Sequence, residues 1–398
     1  MTVWDSLVGQ EAVVTWLQGA ANDAAQEPPG SGMTHAWLVT GPPGSGRSTA
    51  AGAFAAALMC PSGGCGHCDQ CVAALNGSHP DVEVIRPEGV SYKTADARAL
   101  VSRASIAPSR GRWHVIIIED ADRLTETANN VLLKAIEEPP PRAVWLLCTP
   151  SVEDVLPTIR SRCRHIMLRT PSPDELADYL IREKEVDEAT ARFASHAAQG
   201  HVGRAKALAR DESARKRRRD VLSVPSGLHD LATCMNAAGQ IVAAAKQDAA
   251  SITNPIDERE RSDLLLAWGQ GAEGKGLRSG VRGVKGAIKE LEDRQKSRRT
   301  RTERDQLDRA LIDLLGFYRD VLAVQLGAVD HADIGLINDE MTDEVRRQAQ
   351  ACSAVETMWR VNAIERARLA LDANVAPALA MESLTIDLRR PALRLARS

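Results

Sequence analysis

Ala36-Trp37-Leu38-Val39-Thr40-Gly41-Pro42-Pro43-Gly44-Ser45-Gly46-Arg47-Ser48 is the stretch on which the fold turns. A short apolar run enters a turn of glycine and proline, and an alanine-rich segment follows from Ser48 to Leu58. The first predicts a buried strand and the last a helix. Strand, glycine turn and helix in that order form the setting of a phosphate loop. In such a loop, glycines let successive backbone N–H groups converge on phosphate oxygens at the positive end of a helix. Gly41, Gly44, Gly46 and Ser48 stand at the pattern's positions, with Thr49 next to them. The lysine that should bridge the outer phosphates is replaced by Arg47. Arginine keeps the charge, but it is a planar fork on a longer stem and no simple substitute. The loop therefore reads either as a site for ATP and Mg²⁺ or as a structural turn, and efficient hydrolysis is not expected of it.

Outward from the loop, strand-like and helix-like segments alternate. Asp81–Ile85 reads as a strand and Ala95–Ala104 as a helix. His114–Ile118 is a β-branched run expected at the centre of a sheet, closed by Glu119-Asp120. Thr125–Glu138 reads as a helix ended by Pro139-Pro140-Pro141, and Ala143–Cys148 as another apolar strand. This alternation predicts an α/β fold with a parallel, doubly wound sheet. Ligands of such sheets sit at the carboxyl ends of the strands, where the glycine turn and Glu119-Asp120 both fall. An ATPase places Asp first to hold Mg²⁺ through water and Glu second to orient the attacking water. Here the order is reversed, so Glu119 and Asp120 are expected to be solvated loop carboxylates rather than catalytic groups.

The texture changes after Leu168. Thr170–Leu176 has linker and helix-start character, and Asp174–Ala209 looks small and all-helical. The run Arg215-Lys216-Arg217-Arg218-Arg219 marks a second boundary and is expected to be a solvated face. The rest reads as helical. Gly269–Gly286 is expected to be mobile, and Lys285–Arg309 a long exposed helix or helical hairpin. The expected domains are 1–168, 169–212 and 213–398.

With 398 residues the chain has room for two or three cores. A net charge of −3 gives no global basic field for nucleic acid. No apolar run approaches a membrane span, and the N-terminus lacks the basic and apolar parts of a secretory signal, so a cytoplasmic protein is expected. Four of the eight cysteines crowd into Cys60-x4-Cys65-x2-Cys68-x2-Cys71. In a reducing compartment that spacing points to metal rather than disulfides. Four thiolates close a tetrahedral zinc site and leave no position for a catalytic water, so a structural Zn²⁺ is expected. His67 and His79 read as bystanders.

Leu132-Leu133-Lys134-Ala135-Ile136-Glu137-Glu138-Pro139-Pro140, followed by Ser161-Arg162-Cys163, resembles bacterial clamp-loader subunits of the AAA+ class. Val8-Gly9-Gln10 is similar to that family's N-terminal box, and Cys60–Cys71 to its zinc module with a shorter first spacing. Gly200–Ala205 resembles the region around its sensor 2, and 363–367 with 374–382 resemble its oligomerising collar helices. The resemblance implies an AAA+ RecA-like parallel sheet with a zinc module, a small helical lid and an all-α C-terminal collar. It implies that Arg162 serves in trans on a neighbour's nucleotide, that Thr149 falls near sensor 1 and that Arg204 falls near sensor 2. Loss of the lysine and of the Asp-Glu order, with Ser161-Arg162-Cys163 kept, is characteristic of the delta-prime type. That type is a scaffold in a hetero-pentamer with delta and gamma/tau subunits. The assembly places a sliding clamp on primed DNA in replication. The alternatives are an ATP-hydrolysing gamma/tau motor, against which Arg47 argues, and a zinc-dependent DNA-binding module, disfavoured by charge and scarce aromatics.

Overall fold

The computed structural model describes residues 2–87, 92, 94–182, 186–267, 281–330 and 335–389. Two compact units divide at Arg210 and Asp211.

The N-terminal unit opens with a 3-10 turn, Val3–Ser6, and helix α1 (Glu11–Ala24). Strand β1 (Ala36–Thr40) enters α2 (Arg47–Met59) through the glycine turn. Then follow α3 (Asp69–Leu75), β2 (Val82–Ile85), α4 (Thr94–Ala104), β3 (His114–Ile118), α5 (Glu126–Glu137), β4 (Ala143–Thr149), α6 (Pro157–Arg160) and β5 (Arg164–Met167). The strands form one parallel sheet in the order β2-β3-β4-β1-β5. Every residue of β1, β3 and β4 is buried, as parallel strands covered by helices on both faces must be. Alternation of side chains splits the core into two layers. Trp37, Val39, Val115, Ile117 and Leu146 pack with Phe54 of α2 on one side. Leu38, Ile116, Ile118, Trp145 and Leu147 pack with Leu100 of α4 and Leu132 of α5 on the other. Trp37 and Phe54 meet edge to face with centroids 5.0 Å apart.

Sequence patterning misses β5 because it is an edge strand. Only Ile166 of its four residues is buried, so Arg164-His165-Ile166-Met167 shows no apolar run. The same unit ends in three helices, α7 (Pro173–Arg182), α8 (Glu188–Ala198) and α9 (Val202–Arg210). The helix-start chemistry read before α7 is present: Glu175 N–H donates to Ser172 Oγ at 3.2 Å and Ser172 N–H returns to Glu175 Oε2 at 2.8 Å.

The C-terminal unit is all helical: α10 (Glu212–Gly227), α11 (Leu231–Ala267), α12 (Val281–Gln325), α13 (Thr342–Ala351), α14 (Ala354–Asp372) and α15 (Pro377–Arg389). Its core centres on Leu307, Leu311, Leu314, Phe317, Tyr318 and Val321 of α12. The basic run is not a uniformly solvated face. Arg218 is 2% exposed and donates Nε to Asp313 Oδ1 at 3.1 Å, with Glu340 and Asn338 as further partners. Five consecutive residues on a helix reach all the way round it, so one member must share the buried side with Leu222, four residues on. Lys285–Arg309 is helical throughout, as expected. It pairs with α11 through Arg298, which meets Asp257 Oδ1 at 3.2 Å and Glu260 Oε1 at 2.6 Å. Of the glycine-rich stretch Gly269–Gly286, the part before 281 lies outside the described residues, and the remainder is the first turns of α12 rather than a loop.

Candidate functional sites at the two ends of one helix

Helix α2 carries one candidate site at each end. At its N-terminus Gly46 is the cap residue with φ 97°, in the left-handed region where glycine is at ease. Gly44, at φ 83°, lies under the ring of His201 from the α8–α9 turn, so closely that a Cβ there would fall 2.2 Å from His201 Cγ. Val202 N–H donates to Gly44 O at 3.2 Å. Arg47 does not project outward as the loop's lysine would. Its guanidinium donates to Gly41 O within the same loop. Within the turn, then, Arg47 bends back on its own loop and His201 packs against Gly44.

The acidic pair also departs from expectation. Glu119 is mostly buried, and Arg86 clasps both its oxygens, Nε to Oε2 at 2.7 Å and Nη2 to Oε1 at 3.1 Å. It is a neutralised ion pair, not a solvated carboxylate or a free metal ligand. Arg86 gives no signal in the sequence. Strand order supplies it, because Ile85 of β2 is paired with Ile118 of β3 and the residues that follow each strand become neighbours. Tyr92 adds a hydroxyl that donates to Ile85 O at 3.0 Å and also bonds Glu119 O, fixing both strand ends. Asp120 holds φ 49° at the residue before the short turn Ala121–Arg123.

The other nucleotide-related positions surround the same edge of the sheet. Thr149 ends β4 in register with Thr40 of β1, fully buried, its hydroxyl donating to Ser151 O at 3.2 Å. Ser48 and Thr49 lie in the first turn of α2. Arg204 lies in the first turn of α9, where its backbone N–H donates to His201 Nδ1 at 3.2 Å. Gln10, buried, bonds Arg169 O at 2.7 Å and accepts from Arg169 N–H at 3.2 Å, so the N-terminal box holds the linker into α7.

Arg162 stands apart from this edge, just beyond α6. Its side chain is 41% exposed, donates Nη1 to Thr158 O at 2.8 Å and pairs with Glu137 Oε1 at 2.7 Å. Cys163 beside it packs on the core, and burial pushes its thiol up to about 12. The Ser-Arg-Cys motif is therefore anchored by its cysteine while its arginine faces outward.

At the C-terminus of α2 the four cysteines converge. Cys60 is the cap residue of α2 and Cys68 that of α3. Their ligand atoms and those of Cys65 and Cys71 all lie within 4.8 Å of one another. Cys60 Sγ is 3.7 Å from both Cys65 Sγ and Cys68 Sγ. A tetrahedron with Zn–S bonds of about 2.3 Å has edges of about 3.8 Å, so the donor set fits a metal of that kind. Backbone N–H groups of Ser62 and Cys65 point at Cys60 Sγ, each at 3.4 Å. Burial alone would raise the Cys60 thiol, but these N–H donors outweigh it and hold it at about 6. The module is tied to the chain's start by Val3 N–H to Gly64 O at 3.1 Å and by Trp4 Nε1 to Gly63 O at 3.3 Å. The histidines are bystanders. His79 Nε2 bonds Gln70 Oε1 at 2.7 Å and its Nδ1 accepts from Asp81 N–H at 3.0 Å, while His67 Nδ1 bonds Cys65 O at 2.9 Å.

A family model described as DNA polymerase III, delta subunit, matches residues 20–172. Among similar proteins is DNA polymerase III subunit gamma/tau of Mycobacterium tuberculosis (strain ATCC 25618 / H37Rv), 35% identical over 181 residues, 44% of this chain and 30% of that protein. DNA polymerase III subunit delta' of Bacillus subtilis is 32% identical over 200 residues, 50% of this chain and 60% of that one. The delta' subunit of Escherichia coli is 34% identical over 203 residues, 48% of this chain and 61% of that one. The matched stretch thus spans from 30% to 61% of these relatives' own lengths. Among the described residues no helix is long and apolar enough to cross a membrane. Over about the first half of its length the chain is thus similar to DNA polymerase III subunits of the delta, delta' and gamma/tau kinds.

Proposed function

We propose that the chain is a delta′-type clamp-loader subunit that lends an arginine and a scaffold and does not itself hydrolyse ATP. In this reading it joins delta- and gamma/tau-type subunits in a hetero-pentamer that loads a sliding clamp on primed DNA. Residues 1–168 are the AAA+ core, 169–212 the lid and 213–398 the collar. The observation that carries the reading is the contrast between Arg162 and Arg47. Arg162 keeps 41% of its side chain exposed while Glu137, the Thr158 carbonyl and the Ser161 hydroxyl hold it, and its partner carboxylate is itself half-exposed, so a neighbour can reach it. Arg47 bonds its own loop and Glu119 is clasped by Arg86, so the groups that would hold phosphate and Mg²⁺ here are already engaged.

On this proposal Arg162 reaches the γ-phosphate bound by the adjacent motor subunit and stabilises the charge that develops there. Its pair with Glu137 keeps the guanidinium extended until that subunit docks. Cys60, Cys65, Cys68 and Cys71 hold a structural Zn²⁺, which supplies a cross-link and no chemistry. The test is steady-state ATP turnover of the complex reconstituted with the cognate gamma/tau- and delta-type subunits, clamp and primed DNA. Trans arginines contribute about 10³-fold or more, so Arg162→Ala is expected to lower turnover by up to about a thousandfold with folding intact. Unchanged turnover would sink the assignment.

A second reading, the ATP-hydrolysing gamma/tau motor, draws support from the 35% identity to a mycobacterial gamma/tau subunit. The same assay on the chain alone separates the two. Robust turnover by the isolated chain makes it a motor, and silence keeps it a helper.

A further inference from the structure

At the amino ends of β3 and β4, the end of the sheet away from the glycine turn, the N-terminal unit has a cleft of about 260 Å³. It lies between the end of α1 with its following loop and the residues that lead into the two strands. Trp113, Ala24 and Pro29 give it an apolar lining, and Arg112, Arg142 and Glu27 bring charge to it. Arg112 is already engaged: it donates to Ala25 O and stands 3.7 Å from Glu27 Oε1. Arg142 is exposed, and its guanidinium has no hydrogen bond or ion pair among the described residues.

Arg142 is also held in an unusual conformation. Its φ is 65°, at the third position of a turn closed by Ala143 N–H to Pro140 O at 3.1 Å. A turn of this kind favours glycine there, and an arginine carries backbone strain. Its carbonyl accepts from His114 N–H at 2.9 Å, which fixes the turn to the start of β3. A strained, uncommitted cation beside an apolar cleft is a pattern that points to ligand recognition.

Charge and size narrow the ligand. Arg112, Arg142 and Glu27 sum to one positive charge, which balances one carboxylate. A phosphate dianion would leave one negative charge unbalanced there. The volume falls below the range of roughly 300–1,000 Å³ common for small-molecule sites, and suits one large side chain. We propose that the cleft binds the C-terminal residue of a partner protein, with an apolar side chain against Trp113 and its α-carboxylate on Arg142. Capture of a chain end in this way is a recurring recognition mode. The inference is independent of the loader role, and its test does not use that role.

The test is fluorescence anisotropy with the full chain and a fluorescein-labelled peptide, Gly-Ser-Gly-Ser-Leu-Phe, with a free carboxyl end. The expected result is saturable binding that weakens with salt and falls about tenfold or more when the peptide ends in an amide. Arg142→Gly removes both the cation and the backbone strain, so it should abolish binding while leaving the melting temperature unchanged or higher. Equal binding of acid and amide, unchanged binding by Arg142→Gly, or no saturation up to about 1 mM peptide overturns the proposal. So does a labelled oligothymidine that binds more tightly than the peptide and competes with it, which would make the cleft a nucleic-acid contact. The acid-against-amide comparison uses the unaltered chain, so it decides even if the variant does not fold.

Discussion

The two ends of α2 carry two ligand-shaped constructions in opposite states. At the N-terminal end the glycine turn is present, with Arg47 bonded back to Gly41 O and His201 packed on Gly44. At the C-terminal end four sulfurs meet at spacings that a tetrahedral metal would require, with backbone N–H groups already aimed at Cys60. The difference lies in what the side chains around each end are bonded to, not in backbone geometry. At the glycine end the basic side chain bonds a carbonyl of its own loop, whereas at the sulfur end the thiols meet chiefly one another. The four sulfurs form a donor set that could hold a metal ion.

The strongest way to break the comparison is at the sulfur end. Cys65→Ser, or removal of metal by a chelator, is expected to release zinc and destabilise the N-terminal unit by at least about 3 kcal/mol, since a structural metal's binding energy is folding energy. Metal analysis together with a thermal melt checks this, and one zinc per chain retained by the variant would show that the cluster is not the site.

Asp81 gives the next largest effect. It holds the turn that packs on Met59 at the same end of α2. Its carboxylate accepts N–H bonds from Ser109, Arg110 and Gly111 at 2.6, 2.7 and 2.6 Å. Burial would raise this carboxyl, but those donors outweigh it and hold it at about 2, below the usual 3.8. A depressed carboxylate stabilises the fold above its unfolded value and loses that contribution as pH falls through its folded value. Asp81 should therefore contribute about 2 kcal/mol near neutral pH, lost between roughly pH 4 and pH 2. Asp81→Ala should remove that step from the pH–stability curve, and a curve of unchanged shape would refute the role.

At the glycine end, Gly44→Ala should cost about 2 kcal/mol, because alanine at φ 83° is strained and its methyl would strike His201. Urea melts read this, and a neutral result would mean that the His201 contact is loose. The smallest effect expected is from Arg47→Lys, which replaces the fork bonded to Gly41 O with the residue that phosphate loops use. ATP affinity by calorimetry should rise about tenfold, or about 1.4 kcal/mol. No gain would assign the closure of the loop to His201 instead.

Much of the N-terminal fold was legible because its signals are local. An apolar run of five residues, a glycine turn and an alanine-rich segment each specify their own conformation, and β1, β3, β4, α2 and α5 follow from them. The cysteine spacing was legible for the same reason: four thiols within twelve residues can meet with few chain arrangements. β5 was hidden because an edge strand buries one side chain in four. The buried arginine in the run from Arg215 to Arg219 was hidden because charge predicts solvent, while helical periodicity forces one member inward.

By itself the sequence determined the alternation of strand and helix, the glycine turn, the four-thiol cluster and the motif that holds Arg162. These rest on residue type, spacing and near neighbours. Tertiary structure alone decided that Arg86 clasps Glu119, that His201 lies on Gly44 and that Arg142 stands uncommitted beside Trp113. Residues far apart in the chain make these contacts. They exist only once the strand order sets β2 beside β3 and the α8–α9 turn reaches the loop. Whether a polar group is free or engaged depends on such neighbours, and no window of sequence contains them.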